Sequence, residues 1–458
     1  MQAREPMDNT SRSRQDASAH VLGTIARKRA GELLPARDIK RLIEDFVAGR
    51  VPDYQMSAWL ATVACIGMEI EETEALTRAY VAGGMSVDLG GVGKRVIDKH
   101  STGGVGDKVS LVVTPIVAAC GVAVAKMSGR GLGHAGGTID KLESIRGLRL
   151  DLAAAEVRAL VNELGMVITG QSAELAPGDK ATYALRDVTG TVESVPLIAA
   201  SIISKKVAVG AHGLLLDVKT GAGALIQDHA MAVHLAQTMV DLATRFGLDC
   251  RAVLSDMSQP LGFAVGNALE VKEALAALRG DSIPGFTELC RVLSRLMLQL
   301  ALPDLSDAEA DQQVSVAVSS GAAHEKFLQW ARAQGADAAQ LANPDLLPTA
   351  PRREFIRADR TGWVESIDPR AIGNAALRVG AGRLVQGAPI DHSAGIVLQR
   401  RVGDAVAAGD CLAEIHYDEG DITSAKNLTA SAFTLGISQV CVPPVVHQVF
   451  GAASRLQR

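Results

Sequence analysis

Four short β-branched runs constrain this chain most: RVIDKH (95–100), VAVAKMS (122–128), GLLLDVK (213–219) and CRAVLSD (250–256). Each is followed by a glycine-bearing loop and then by residues of helical periodicity. That alternation predicts an α/β fold with a largely parallel sheet covered by helices, since strands that run parallel need crossover connections. Ahead of it, LIEDFVAG, YQMSAWLATVACIGM and EIEETEALTRAYVAGG carry apolar residues at spacings of three and four, with glycines closing the last two. This predicts a small all-helical lobe over residues 21–85. Beyond about Asn343 the texture changes: PTAPRREF reads as a linker, and GWVESID and GIVLQRRVGDAVAAGDCLAEIHYD favour short strands with turns. A third, β-rich domain is expected over 350–445.

A length of 458 residues with 48% hydrophobic content is enough for two to four domains. The formal charge of -5 leaves no global basic field to draw the protein onto nucleic acid or anionic lipid, so an anion site must be local. Six scattered cysteines without a CxxC pair argue against a disulfide framework or zinc knuckle and fit a reducing cytoplasm. The first 20 residues mix charges without the apolar run of a signal peptide and read as a disordered tail. The most apolar stretch, 109–125, is interrupted by Ser110, Thr114, Pro115 and Gly121, which favours a buried helix and strand over a membrane span.

Three constellations carry chemistry. In KHSTGGVGD (99–107) a strand runs into closely spaced glycines and then an apolar helix. Backbone N–H groups of such a turn close around an oxyanion, and the helix start adds its positive dipole end. Lys99, Ser101 and Thr102 would add donors, although a tight connection alone accounts for the glycines equally well. It is not a Walker loop, because Lys108 follows Asp107. The second, KMSGRGLGHAGGTID (126–140), repeats the order of strand, glycine loop and helix, so two helix starts can address one anion. On a strand, Lys126 and Ser128 share one face. The third joins Arg186-Asp187 to SIISKK (201–206), where Ser201 and Lys205 are spaced by four on a helix and face the same way. A planar base with two carbonyls and a ring N–H needs such a fan of donors; a surface ion pair and a helix-end charge are the plainer alternatives. Together the three suit attack by phosphate on an anomeric carbon, with His100, Arg186 and Lys205 stabilising the charge on a departing base. The carboxyl-terminal hairpin is similar to those of biotinyl and lipoyl carriers but lacks a modification lysine at the matching turn, and reads as structural.

These residues resemble the thymidine and pyrimidine-nucleoside phosphorylase family. The likeness is carried by KHSTGGVGD, SGRGLGHAGGTIDKLES and YALRDVTGTVESVPLIAASIISKK, continues through DVKTGAGA and SDMSQPLGFAVGNALEVKEAL, and spans nearly the whole chain. It implies a homodimer of two-lobed subunits, with 175–207 returning to the helical lobe, 92–174 and 208–345 forming a phosphate-binding α/β lobe, and a barrel-sandwich-like α+β domain at the end. It implies no organic cofactor, inorganic phosphate as co-substrate, and no nucleic-acid or membrane partner. By that likeness Lys99, Ser101, Ser110, Ser128 and Thr138 hold phosphate, with Thr102 and Lys126 added by their donor chemistry, Arg186, Ser201 and Lys205 hold the base, and His100 lies between.

Two positions discriminate within the family. Members restricted to thymidine carry Met at the position of Lys126, whereas broad-specificity members carry Lys, so uridine is an expected substrate beside thymidine and deoxyuridine; Ser110 departs from the Thr common in the broad enzymes. Some relatives hold potassium at positions matching Gly106, Lys108, Leu261, Ala264 and Glu273, and here Lys108 replaces a hydroxyl ligand. Its ammonium is therefore expected to take the ion's place and pair with Glu273. A phosphoribosyltransferase of similar plan is the rival enzyme, but its magnesium would want an acidic pair that the matching loops lack. A non-catalytic carrier, the rival of another class, leaves Arg186, Ser201 and Lys205 without purpose.

Overall fold

The computed structural model describes residues 9–451 apart from 132, 134, 135, 172–174, 384 and 386. Helices α1 (Asn9–Arg29), α2 (Ala36–Val47), α3 (Asp53–Ile66) and α4 (Ile70–Val81) come first. The chain continues through β1 (Val96–Ser101), α5 (Val109–Ala119), β2 (Ala123–Ser128), α6 (Thr138–Leu142), α7 (Ala154–Leu164) and β3 (Met166–Gly170). Helices α8 (Pro177–Thr189) and α9 (Val195–Val209) lead to β4 (Gly213–Thr220), α10 (His229–Arg245), β5 (Asp249–Asp256) and β6 (Ala264–Val265). Five helices follow: α11 (Asn267–Leu278), α12 (Phe286–Ala301), α13 (Asp307–Ser319), α14 (Ala322–Ala333) and α15 (Ala338–Ala342). The carboxyl-terminal part holds β7 (Arg352–Arg357), β8 (Gly362–Ile367), α16 (Pro369–Arg378), β9 (Gly395–Leu398), β10 (Ala405–Val406), β11 (Cys411–Tyr417), α17 (Ile422–Ala432), β12 (Phe433–Gly436) and β13 (Val446–Gly451).

The chain divides into two compact units, the first made of residues 1–88, 172–210 and 237–248. It is all helical, and its core gathers Ile39, Leu42, Trp59, Leu60, Tyr80 and Leu197. Glu72 ties it together from inside: its carboxylate pairs with Lys28 at 2.6 Å and accepts from the backbone N–H groups of Leu34 and Glu69, the latter capping α4. Residues 9–20 correct the expected disordered tail, since α1 runs through them; residues 1–8 lie outside the described residues. Small residues make that helix dock: Ala17 and Val21 are buried, and Ser18 Oγ accepts from Gln55 of α3 at 2.6 Å.

The second unit, 89–171, 211–236 and 249–458, is built on a sheet of order β13-β5-β4-β1-β2-β3. All its pairings are parallel except β13 on β5. All eight residues of β4 are buried, which is why GLLLDVK reads as a continuous run rather than an alternation. Helix α5 is buried on every side but its end, and no helix among the described residues is long and apolar enough to cross a membrane. The carboxyl-terminal part carries a three-stranded sheet (β10-β8-β12) and a four-stranded one (β6-β9-β11-β7) with α16 and α17. PTAPRREF is only partly a linker, because Arg352–Arg357 pairs with β11.

Candidate active site

The site is positioned by the order of strands. From β1 the chain crosses to β2 and then β3 on one side, whereas β4 and β5 lie on the other. The order therefore reverses at β1, and ligands of open α/β sheets bind at the carboxyl ends of strands beside such a reversal. KHS closes β1 and KMS closes β2, and the two strands pair in parallel at Val96↔Ala123 and Ile97↔Val124.

On the β1 side the donors are braced by β4. Lys99 is fully buried, and its Nζ lies 3.1 Å from Asp217, which also pairs with Lys219 at 2.8 Å and accepts from the Ser255 hydroxyl at 2.6 Å. Thr102 is held at both backbone and side chain: its N–H donates to Asp217 O, and its hydroxyl oxygen accepts from Lys219 N at 2.9 Å. The Ser101 hydroxyl accepts from Gly103 N and donates to Asp107 at 2.5 Å. Burial would raise the Asp107 carboxyl, but the ammonium groups of Lys219, Lys99 and Lys141 and the Ser101 bond outweigh it, holding the group well below the usual carboxylate range. His100 sits between these residues on β1, partly exposed, and Ser110 is buried in the first turn of α5. Sequence reasoning missed Asp217 and Lys219, since charged residues inside an apolar run carry no spacing signal.

The second loop closes from the other strand. Ser128 ends β2, Lys126 is buried two residues earlier with its Nζ donating to Met127 O at 3.0 Å, and Thr138 opens α6. That helix is only five residues long, so the dipole expected of it is small. Instead Asp140 organises the loop, accepting from Gly131 N and from Arg383 of the carboxyl-terminal part, both at 2.6 Å. Leu132, His134 and Ala135 lie outside the described residues.

The three residues expected to hold a base lie in the helical unit. Arg186 corrects the alternative of a surface ion pair: its guanidinium is fully buried and donates to Thr191, Val192 and Leu197 carbonyls at 3.3, 2.9 and 3.0 Å. These bonds use three of its five N–H groups and fix the turn between α8 and α9. Ser201 and Lys205 do share a face of α9, for Lys205 Nζ donates to both the Ser201 carbonyl and hydroxyl at 3.0 Å. Lys205 also pairs with Asp179, a buried residue of α8 that sequence reasoning missed because an acid in a first helical turn reads as a dipole partner.

The potassium set is answered by the chain itself. Lys108 Nζ donates to Leu261 O at 2.8 Å and Ala264 O at 2.9 Å and pairs with Glu273 at 2.6 Å. The Gly106 carbonyl accepts from Lys108 N instead. The donor set therefore does not fit a further cation, and among the described residues no His, Cys, Asp and Glu cluster suits a metal ion.

Residues 93–324 match the α/β domain of a glycosyl transferase family, 23–84 its helical bundle domain, and 363–436 the pyrimidine nucleoside phosphorylase C-terminal domain. The chain is 45% identical to a pyrimidine-nucleoside phosphorylase of Geobacillus stearothermophilus over 93% of its own length and 99% of the relative's. It belongs to the pyrimidine-nucleoside phosphorylase family. A pyrimidine-nucleoside phosphorylase of Staphylococcus haemolyticus is 44% identical over 94% of this chain and 99% of its own. An anthranilate phosphoribosyltransferase from Thermus thermophilus shares the fold more distantly, with a TM-score of 0.56 at 18% identity over 68% of this chain and 99% of that one. This chain fills the Leu261–Ala264–Glu273 oxygen set with its own lysine.

Proposed function

We infer that the chain catalyses phosphorolysis of pyrimidine nucleosides, releasing the free base and a pentose 1-phosphate. The observation that carries this reading is the pair of glycine loops at the strand reversal in a chain 45% identical to a pyrimidine-nucleoside phosphorylase. Phosphate, taken by Lys99, Ser101, Thr102, Ser110, Ser128 and Thr138, attacks the anomeric carbon through one oxygen. The C–N bond breaks with its electron pair leaving on the base, whose charge is met by Lys205, Arg186 and His100 while Ser201 orients the ring. Phosphate is already an anion, so no strong general base is needed. No organic cofactor enters the reaction, and with Lys108 in the cation position turnover is independent of potassium. A homodimer in the cytoplasm belongs to the same reading: six free cysteines fit a reducing compartment, and sedimentation checks the dimer.

Lys126 supports breadth: an ammonium can reach the sugar 2'-hydroxyl or the phosphate where a thioether cannot donate. The test is base release from thymidine, uridine and deoxyuridine with and without phosphate, potassium being varied. All three should react only with phosphate. Lys126→Met should cost uridine roughly tenfold or more in kcat/KM and spare thymidine; reaction of the deoxynucleosides alone would leave a thymidine-type enzyme.

A further inference from the structure

We propose that the carboxyl-terminal part positions the phosphate loop, with Arg370 as its positioning residue; this rests on the reading of 99–107 as that loop. Arg370 stands at the start of α16, where Asp368 caps the helix by accepting from Arg370 N at 2.9 Å and Ala371 N at 3.2 Å. From that fixed base its guanidinium crosses to the loop after β4. Nη2 donates to Ala224 O at 3.2 Å, and with the Gln227 amide oxygen turned toward it, Nη1 and Nη2 donate there at 2.8 and 2.6 Å. A planar fork can hold a backbone carbonyl and a side-chain oxygen together, which a lysine ammonium at the end of a flexible stem does less well.

The loop so held leans on the next layer without slack. A Cβ on Gly223 would lie 2.7 Å from Pro369 Cγ and 2.9 Å from Met257 Cγ. Gly223 N donates to Met257 O at 2.9 Å, and Met257 N donates to Thr220 O at 2.7 Å. The Met257 side chain in turn covers Gly104, where a Cβ would stand 2.5 Å from its methyl carbon. A continuous stack therefore runs from the start of α16 through 221–227 and Met257 to the middle of KHSTGGVGD. In a close-packed stack a displacement at one end is passed on rather than absorbed.

The experiment is steady-state kinetics on Arg370→Ala, Arg370→Lys and Gln227→Ala, varying phosphate at saturating thymidine and the reverse. Arg370→Ala should raise KM for phosphate about tenfold while KM for thymidine and the melting temperature stay near wild type. Arg370→Lys should recover part of the loss, and Arg370→Ala with Gln227→Ala should be less than additive. Arg378→Ala, at the far end of the same helix, should change nothing. A wild-type phosphate KM in Arg370→Ala, or an equal rise in both KM values with a lowered melting temperature, overturns the proposal. Should Arg370→Ala fail to fold, the phosphate KM of Gln227→Ala decides in the same way. Ser101→Ala separates the two levels: if it leaves the phosphate KM untouched, the reading of 99–107 as the phosphate loop itself fails, whereas a raised KM there beside a normal one in Arg370→Ala removes only the role of Arg370.

Discussion

Lys108 shows how much a single side chain can settle. Its three N–H donors meet three oxygens, on Leu261, Ala264 and Glu273, so a fully buried charge is left with nothing unsatisfied. Removing it leaves the Glu273 carboxylate without its cation, holding only the backbone N–H groups of Phe263 and Ala264, and Lys108→Met should destabilise the fold by about 3 kcal/mol in urea unfolding. An unchanged midpoint would mean that the bonds do not form in solution. This pairing was expected only through family likeness, which set Lys108 and Glu273 at positions matching an ion site. The anchoring of Arg186 was not legible, since its partners are backbone carbonyls, which leave no mark on the identity of the residues that carry them.

Glycine loops between buried strands and helices are the elements that matter, and they impose steric limits that can be tested. Gly106 has φ +74, and a Cβ there would lie 2.6 Å from Leu261 O, within the ring of oxygens around Lys108. Gly106→Ala should therefore cost more than about 1 kcal/mol through backbone conformation alone, and it should raise the phosphate KM; a variant as stable as wild type would show that the loop relaxes freely. The strands β2 and β4 are buried along their whole length, and β1, β2, β4 and β5 stood out in sequence through their short β-branched runs. Helix α1 did not, because it docks through small residues such as Ala17 and Ser18 and carries polar side chains around most of its circumference. Strand β7 was hidden for a related reason: RREFIR is largely exposed, and its pairing with β11 is made by the backbone.

At the scale of the whole molecule, the chain enters the helical unit three times and the α/β unit three times, so each unit is assembled from segments distant in sequence. Long-range return of 172–210 and 237–248 to the helices cannot be read from local periodicity, and the former was expected only through family likeness. Stability also has a pH signature at this scale. Burial, the leading cause in each case, holds His324, His392 and His416 below the ordinary value of 6.5, with Arg353 adding to it at His416. The unfolded chain then binds protons that the folded one does not, so this contribution is whole above about pH 6.5 and declines as pH falls below it. Melting curves should show that slope, and His416→Gln should flatten it; an unaltered slope would assign the effect to other groups. The proposed phosphorolysis requires the two loops at the ends of β1 and β2 to hold one phosphate. Equilibrium titration of phosphate into the wild type and Ser101→Ala/Ser128→Ala tests this most directly. Loss of two charge-assisted hydrogen bonds should weaken binding by about a hundredfold, and an affinity equal to wild type would contradict it.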